Sequence, residues 1–496
     1  MRQRIHGRKF RQERRQNSQH RKRRPRRKAR RAARRPASGM RTVRRARGQW
    51  WQAPDLCFGR LLPCQLVQEA LVRSGLVFRE RLYTPLMTLW TFLYQVLCPD
   101  PSCRAAVARL LAYLGARGDP AAASAQTGPY CKARERLPEA LVSDLARQSG
   151  TRLQARFPAT ELLRGRPIKI ADGTTLSMPD TPENQQAYPQ PPHQQPGLGF
   201  PILRLVAVIS LSCGAVLDVA LSRYCGKKTG ETALLRQMFQ QFQTGDVALA
   251  DALFANYWTL AAWIKRGVDV IARHDGKRPL DWRVGWRLGK KDHLVVWRKP
   301  PKPAWMSRKE YHRMPAELCL RELAAEVAQP GFRTQRVVIV TSLLDAQTYP
   351  PAEVAAAYRA RWHAELDLRA IKQVMAMEIL RCKSPAMVRK EIGMHLLAYN
   401  LIRTLLAEAA QTTGVQSREL SFKGALQTLN AFAAVWPLTP LSHEALYAMI
   451  LQAVAAHRVG DRPDRVEPRA VKRRPRKQTF LTQPRHLARN RLLTKV

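Results

Sequence analysis

Apolar residues recur every three to four positions through residues 50–150. Leu66, Ala70, Leu71 and Val72, the run Met87–Leu97, and the run Ala105–Leu114 each predict a helix with one greasy face. From residue 167 the period drops to two. Pro167-Ile-Lys-Ile-Ala171 alternates and leads into Asp172-Gly-Thr-Thr, so a strand is expected to end at Asp172. Residues 202–211 and 215–222 predict a hairpin closed at Cys213-Gly214. Residues 231–242 suit a helix started by Thr229-Gly230-Glu231. Val247-Ala-Leu-Ala250 reads as a short buried strand that delivers Asp251. Residues 256–265 suit another helix, and Val268–Ala272 another strand.

The resulting order, βββαβαβ, is that of an RNase H-like core, so the fold class expected is α/β. Residues 275–335 interrupt it. They are rich in Lys, Arg, Pro and Trp and have strand-like pieces at 282–288 and 293–298, which predicts a mainly β insertion. Arg336–Ser342 returns as a strand. Pro350-Pro351 opens a long helix, since proline suits a first helical turn. Residues 386–412 and 440–457 are helical in pattern.

Charge changes the picture. The 496 residues carry 85 Lys+Arg against 37 Asp+Glu, a net +48. That balance points first to nucleic acid and second to an acidic membrane surface. The first 50 residues hold 22 Lys/Arg and one acid, Glu13, so the remaining 446 keep a net +27. A basic tail on a neutral body would not explain that. Residues 1–48 read as a basic arm expected to be disordered alone. They are a DNA-binding arm, a solvated tail, or the product of an upstream start codon. Apolar stretches such as Pro201–Leu211 are too short to span a bilayer, and no secretory h-region follows the cationic start. Nine cysteines are scattered without a C-x2-C or Cys/His cluster, as in isolated thiols of a cytosolic protein. The expectation is a cytoplasmic, nucleoid-associated protein that does not enter a membrane.

The candidate chemistry lies on the long helix. Tyr358, Arg361, Glu365 and Lys372 follow the spacing Y-x2-R-x3-E-x6-K and project within a ~60° arc. A solvated face would scatter its charges, and a core face would not gather Arg, Glu and Lys. Asp172 alone is weak, because Asp-Gly is usually a turn. Asp251 alone suits a helix N-cap. With Glu365 they form an ordered Asp…Asp…Glu set mounted on strand, strand and helix. Such carboxylates suit two Mg²⁺ ions in phosphoryl transfer.

The spacing resembles the signature of bacterial DDE transposases of insertion-sequence family 4. Further pieces of the likeness are Ala171-Asp-Gly-Thr174, Gly245-Asp-Val-Ala-Leu-Ala-Asp251, Val-Thr-Ser-Leu-Leu at 340–344, and Leu397-Ala-Tyr-Asn-Leu401; together they cover about residues 120–410. The resemblance implies that Asp172, Asp251 and Glu365 are catalytic and hold Mg²⁺, with Mn²⁺ able to substitute. It implies that Tyr358, Arg361 and Lys372 contact transposon-end DNA. It also implies a transposase that binds terminal inverted repeats and cleaves and joins strands, as a homodimer on paired ends of double-stranded DNA, with target DNA as second substrate. The stretch Tyr130–Pro138 would be a DNA-contacting helix. The expected parts are the arm 1–48, a helical DNA-binding domain 49–150, a core over 160–274 and 336–410, the β insertion 275–335, a helical C-terminal region 411–460 and a basic tail 461–496. Relatives often have Arg after the second Asp, where this chain has Ala252. That departure keeps open a catalytically decayed DNA-binding protein on the same fold. Another RNase H-like nuclease is a third reading, which the stripe argues against. Some relatives stack a flipped base on an insertion aromatic, and Trp282, Trp286, Trp297 and Trp305 are the candidates.

Overall fold

A computed structural model describes residues 59–76, 82–116, 124–327, 335–436, 438, 440–460 and 479–494. The basic arm 1–48 and residues 461–478 of the basic tail lie outside the described residues.

Five helices come first: α1 (Cys64–Arg73), α2 (Pro85–Leu97), α3 (Cys103–Ala116), α4 (Gly128–Arg136) and α5 (Glu139–Arg156). Strand β1 (Ile168–Ser177) follows, then the short α6 (Pro182–Ala187), β2 (Ile202–Ser210) and β3 (Val216–Arg223). Next come α7 (Glu231–Arg236), β4 (Val247–Ala250), α8 (Tyr257–Ile264) and β5 (Asp269–Arg273). The interrupting segment supplies β6 (Trp286–Gly289), β7 (Asp292–Arg298), α9 (Arg308–Arg313) and β8 (Glu317–Val327), before β9 (Gln335–Thr341). The chain is therefore a mixed α/β protein with one nine-stranded sheet, ordered β3-β2-β1-β4-β5-β9-β8-β7-β6. β4 runs parallel to β1 and β5, and every other pairing is antiparallel. The β insertion is not a separate lobe. β8 pairs along the length of β9, so the insertion lengthens the central sheet.

Period-two alternation sorts this sheet into two faces. Ile168, Ile170, Leu203, Leu205, Val247 and Leu249 join one core with α2, α5 and the 29-residue α12 (Pro385–Thr413). Ala171, Val206, Val208, Ala248 and Ala250 join a second core with α7 and α8. Asp172 shares the parity of Ile170 within β1, so it faces the first core, and Asp251 directly follows β4.

Two expectations are corrected here. β1 does not end at Asp172. It continues to Ser177, because residues 172–177 stay paired with β2 through Ser177↔Ile202, and only the parallel pairing with β4 stops, at Ile170↔Leu249. The signature helix is not continuous either. It divides into α10 (Pro351–Ala360), α11 (Trp362–Arg369) and a π turn, Ala370–Val374. The amides of Arg361 and Ala364 bond three residues back, which tightens the helix, and the Met375 amide bonds five back to Ala370, which widens it.

The N-terminal helices share the core of the sheet. α2 and α5 lie against α12, and the Asn400 side chain stitches α12 to its neighbours. Its Nδ2 donates to Ala146 O and Val216 O at 2.9 Å each, and its Oδ1 accepts from Val216 N at 2.9 Å. Two further helices, α13 (Phe422–Val435) and α14 (His443–Ala456), pack on α12, and α15 (Arg485–Leu493) closes the described chain. Among the described residues no helix is long and apolar enough to cross a membrane.

Candidate active site

Three elements deliver three carboxylates to one place. Asp172 lies within β1, two residues past the last parallel pair with β4. Asp251 directly follows β4, where its Oδ1 accepts the Leu253 amide at 2.9 Å in a tight turn. The N-cap of α8 is Asn256, so Asp251 does not cap that helix. α11 crosses β1 and brings Glu365 over the same face. Burial pushes the Asp172 carboxyl up to about 6. Arg361 and the Gly173 amide pull against this, while the charges of Asp251 and Glu365 add to it. The three carboxylates thus sense one another across the sheet–helix gap.

Arg361 bridges two of them. Its Nη2 lies 2.6 Å from Glu365 Oε1, and its Nη1 lies 3.6 Å from Asp172 Oδ2. Burial works against the Arg361 charge, but Tyr358, Glu365 and Asp172 outweigh it and raise the guanidinium's affinity for its proton. Lys372, on the π turn, donates to Thr174 Oγ1 at 3.0 Å and lies 3.9 Å from Glu378. Tyr358 is only 8% exposed, and burial raises its hydroxyl above the usual range against the pull of Arg361 and Arg273. Arg361 and Tyr358 therefore stand among the carboxylates with Glu365, while Lys372 reaches Thr174, two residues beyond Asp172 on β1.

Among the described residues no three His, Cys, Asp or Glu side chains stand close enough to hold an ion as they are. At this site the Arg361 guanidinium lies between two of the carboxylates. The donor set nonetheless fits a hard divalent ion. It is all oxygen, and the raised carboxyl of Asp172 marks a place where added positive charge would be favoured.

Sequence reasoning missed two neighbours. The Glu231 carboxylate lies directly over Gly173, where a Cβ would meet Glu231 Cδ at 2.6 Å, so glycine is required for the approach. Burial raises the Glu231 carboxyl, Arg204 opposes this, and Asp251 adds to it. The pair Gly173 and Gly230-Glu231 was visible as two turn-like motifs, but nothing in the chain says that they touch. The second is Asp246, inside the motif Gly245-Asp-Val. It pairs with Lys169 at 2.5 Å and pins β4 beside β1.

The helix read as a DNA contact at Tyr130–Pro138 is part buried and part exposed. Tyr130 and Arg134 are buried and both bond Gln95 Oε1, at 2.7 and 3.1 Å, leaving Lys132 and Arg136 exposed. Of the insertion tryptophans, Trp297 is buried and donates to Glu322 at 2.8 Å. Trp282 lies against His293, and Trp305 lies under Arg236. Trp286, on β6, is 74% exposed.

Comparison with known proteins agrees with this geometry. The family described as Transposase DDE domain matches residues 163–401, which contain all three carboxylates. Transposase InsG for insertion sequence element IS4, from Escherichia coli (strain K12), is 27% identical over 430 residues, 85% of this chain and 93% of that protein. A cryo-EM structure of the piggyBac transposase synaptic complex with hairpin DNA overlaps 80% of this chain and 84% of that one, at 9% identity and a TM-score of 0.39. That overlap is too low to bear on fold or function. The family match and the long alignment support a bacterial DDE transposase of the insertion sequence 4 type, a family whose members cleave DNA and transfer strands.

Proposed function

We propose that Asp172, Asp251 and Glu365 are the catalytic carboxylates, mounted on an RNase H-like core, of an enzyme that recognises the terminal inverted repeats of its own element. DDE transposases use divalent metal ions; here Mg²⁺ is the natural choice, with Mn²⁺ as substitute, held by these three side chains. When bound, the ions supply Lewis acidity for in-line phosphoryl transfer. The chain's own residues do the rest. Asp172 presents its oxygens from within β1, and Asp251 from the residue that follows β4. Glu365 closes the set from a helix. Lys372 and Thr174 hold a polar, cationic rim where a backbone phosphate would lie, and Arg361 and Tyr358 extend it. Trp286 presents its ring to solvent, where a displaced base would stack. A homodimer assembled on paired ends, working in the cytoplasm on the nucleoid, completes the reading.

The observation that carries this proposal is the convergence of Asp172, Asp251 and Glu365 on one face of the sheet, close enough that each of the other two raises the Asp172 carboxyl. The test pairs nicking and gel-shift assays on one end-bearing duplex. Asp172→Asn, Asp251→Asn and Glu365→Gln should each abolish nicking and keep end binding. Wild-type-like nicking by any one removes that residue from the set. Nicking by the wild type should stop in EDTA and return with Mg²⁺ or Mn²⁺. Good binding without nicking under any ion would favour the decayed copy that Ala252 suggests.

A further inference from the structure

Glu365 owes its place to a helix with little apolar anchorage. α11 has eight residues, and its buried side chains are Ala364, Asp367 and Leu368. It cannot inherit a position from the rod it belongs to, since the rod tightens at Arg361 and widens over Ala370–Val374. Asp367 lies two residues beyond Glu365, about 200° round the helix. The Glu365 side chain is 39% exposed toward the carboxylate site, whereas Asp367 is fully buried on the other side.

Three parts of the fold meet on that buried carboxylate. Arg418 Nη1 donates to both Asp367 oxygens at 2.8 Å, and Arg403 Nη2 donates to Oδ1. Arg418 also donates to the carbonyls of Ser210 and Leu211, at the end of β2, at 3.2 and 2.9 Å. Arg403 Nε donates to the Tyr399 hydroxyl at 2.8 Å, and that hydroxyl donates to Gly214 O at 3.0 Å in the β2–β3 turn. β2 in turn pairs with β1 at Asp172↔Ala207. A path of charged hydrogen bonds thus runs from the helix of Glu365, through Asp367 and its two arginines, to the strand beside Asp172. Neutralising two guanidiniums needs a carboxylate, but α12 offers many places for one. Here it sits on a short element whose buried apolar side chains are only Ala364 and Leu368.

We propose that Asp367 is a positioning residue. With Arg403 and Arg418 it fixes the distance between Glu365 and Asp172 and so sets the metal affinity of the carboxylate site. The proposal rests on the assignment of Glu365 to the catalytic set.

The test uses the full chain and an end-bearing duplex. Asp367→Asn removes the charge at constant shape. Arg418→Lys keeps the charge but loses the two-pronged contact and the β2 carbonyls, and it guards against misfolding of the first variant. Mn²⁺ binding to the DNA-free protein is read from the free-ion spin-resonance signal, and nicking is titrated with Mn²⁺. Both variants, or Arg418→Lys alone if the other does not fold, should bind Mn²⁺ about tenfold more weakly. Half-saturation of nicking should shift with it, the melting profile should stay cooperative, and end-DNA affinity should stay within about twofold. A folded Arg418→Lys with wild-type Mn²⁺ binding and nicking overturns the proposal. So does failure of both variants to fold, or a parallel loss of DNA binding at unchanged metal affinity. Glu365→Gln separates the two levels. If it still nicks, the catalytic assignment fails first; if it is dead while Arg418→Lys is normal, only the positioning role is lost.

Discussion

At the scale of residues, the carboxylate site is an arrangement that costs stability. Burial holds the Asp172 carboxyl near 6, against an ordinary value of 3.8, and its two acidic neighbours push the same way. The folded metal-free protein therefore binds more protons than the unfolded chain between these two values. Stability from this group is greatest below about pH 4 and is lost as the pH rises through about 6, the reverse of a salt-bridged aspartate. Asp172→Asn removes the charge and should raise the metal-free protein's stability above pH 6 by on the order of 2 kcal/mol, with no gain at pH 4. Thermal scans of both proteins at pH 4.5 and pH 7.5 in EDTA check this. Equal shifts at both pH values would mean that the Asp172 charge is not the cause. Adding Mn²⁺ should then stabilise the wild type more than the variant, since only the former has all three carboxylates.

At the scale of elements, close approach decides more than propensity does. α5 presses on β3 at Gly150, where a Cβ would stand 2.2 Å from Val216 O and 2.9 Å from Asn400 Nδ2. Gly150→Ala should destabilise by about 1–3 kcal/mol, because the obstacle is backbone and cannot swing away. Gly115 in α3 has nothing within 4 Å of the same position. There Gly→Ala should stabilise by up to about 1 kcal/mol through helix propensity alone. Denaturant midpoints of the two variants should move in opposite directions, and a common direction would refute the steric account. The same contrast explains what the chain made legible. Strands such as Ile202–Ser210 and Val247–Ala250 were readable because a short apolar run bounded by turn residues is written locally, and the stripe was readable because helical spacing is too. The continuation of β1 past Asp172 was not, since Asp-Gly-Thr-Thr reads as a turn until β2 is known to lie beside it. The break at Arg361, the π turn under Lys372 and the Glu231–Gly173 contact depend on partners far away in the chain, 58 residues for the last, or on packing against the sheet. No local pattern encodes them. Asp367 was passed over for the same reason: its meaning comes from Arg403 and Arg418, which only the fold brings to it.

At the scale of the whole molecule, charge is distributed in two tiers. Residues 1–48 carry 21 of the 48 net positive charges, and the rest of the chain, basic in its own right, keeps +27. On the proposed function, specific end recognition would fall to the folded body, where Lys372 donates to Thr174, two residues beyond Asp172 on β1. If the arm binds DNA, as its arginine content leads us to expect, it would add affinity that does not depend on sequence, by releasing counterions from whatever duplex it meets. Each phosphate it neutralises contributes about 0.9 to the slope of log affinity against log salt, so contacts to only five would contribute about four to five. Deleting residues 1–48 should therefore lower the salt slope on random duplex by several units and weaken binding most at low salt. The preference for the element's ends over random duplex should rise, because the body alone now does the discriminating. Nicking at saturating protein should persist, since Asp172, Asp251 and Glu365 and the elements that mount them all lie in the body. Affinity titrations at four or more salt concentrations on specific and random duplexes, with nicking followed in parallel, make the comparison. An unchanged slope would mean that the arm does not touch DNA. Loss of nicking at saturation would place the arm inside the assembled active complex rather than beside it.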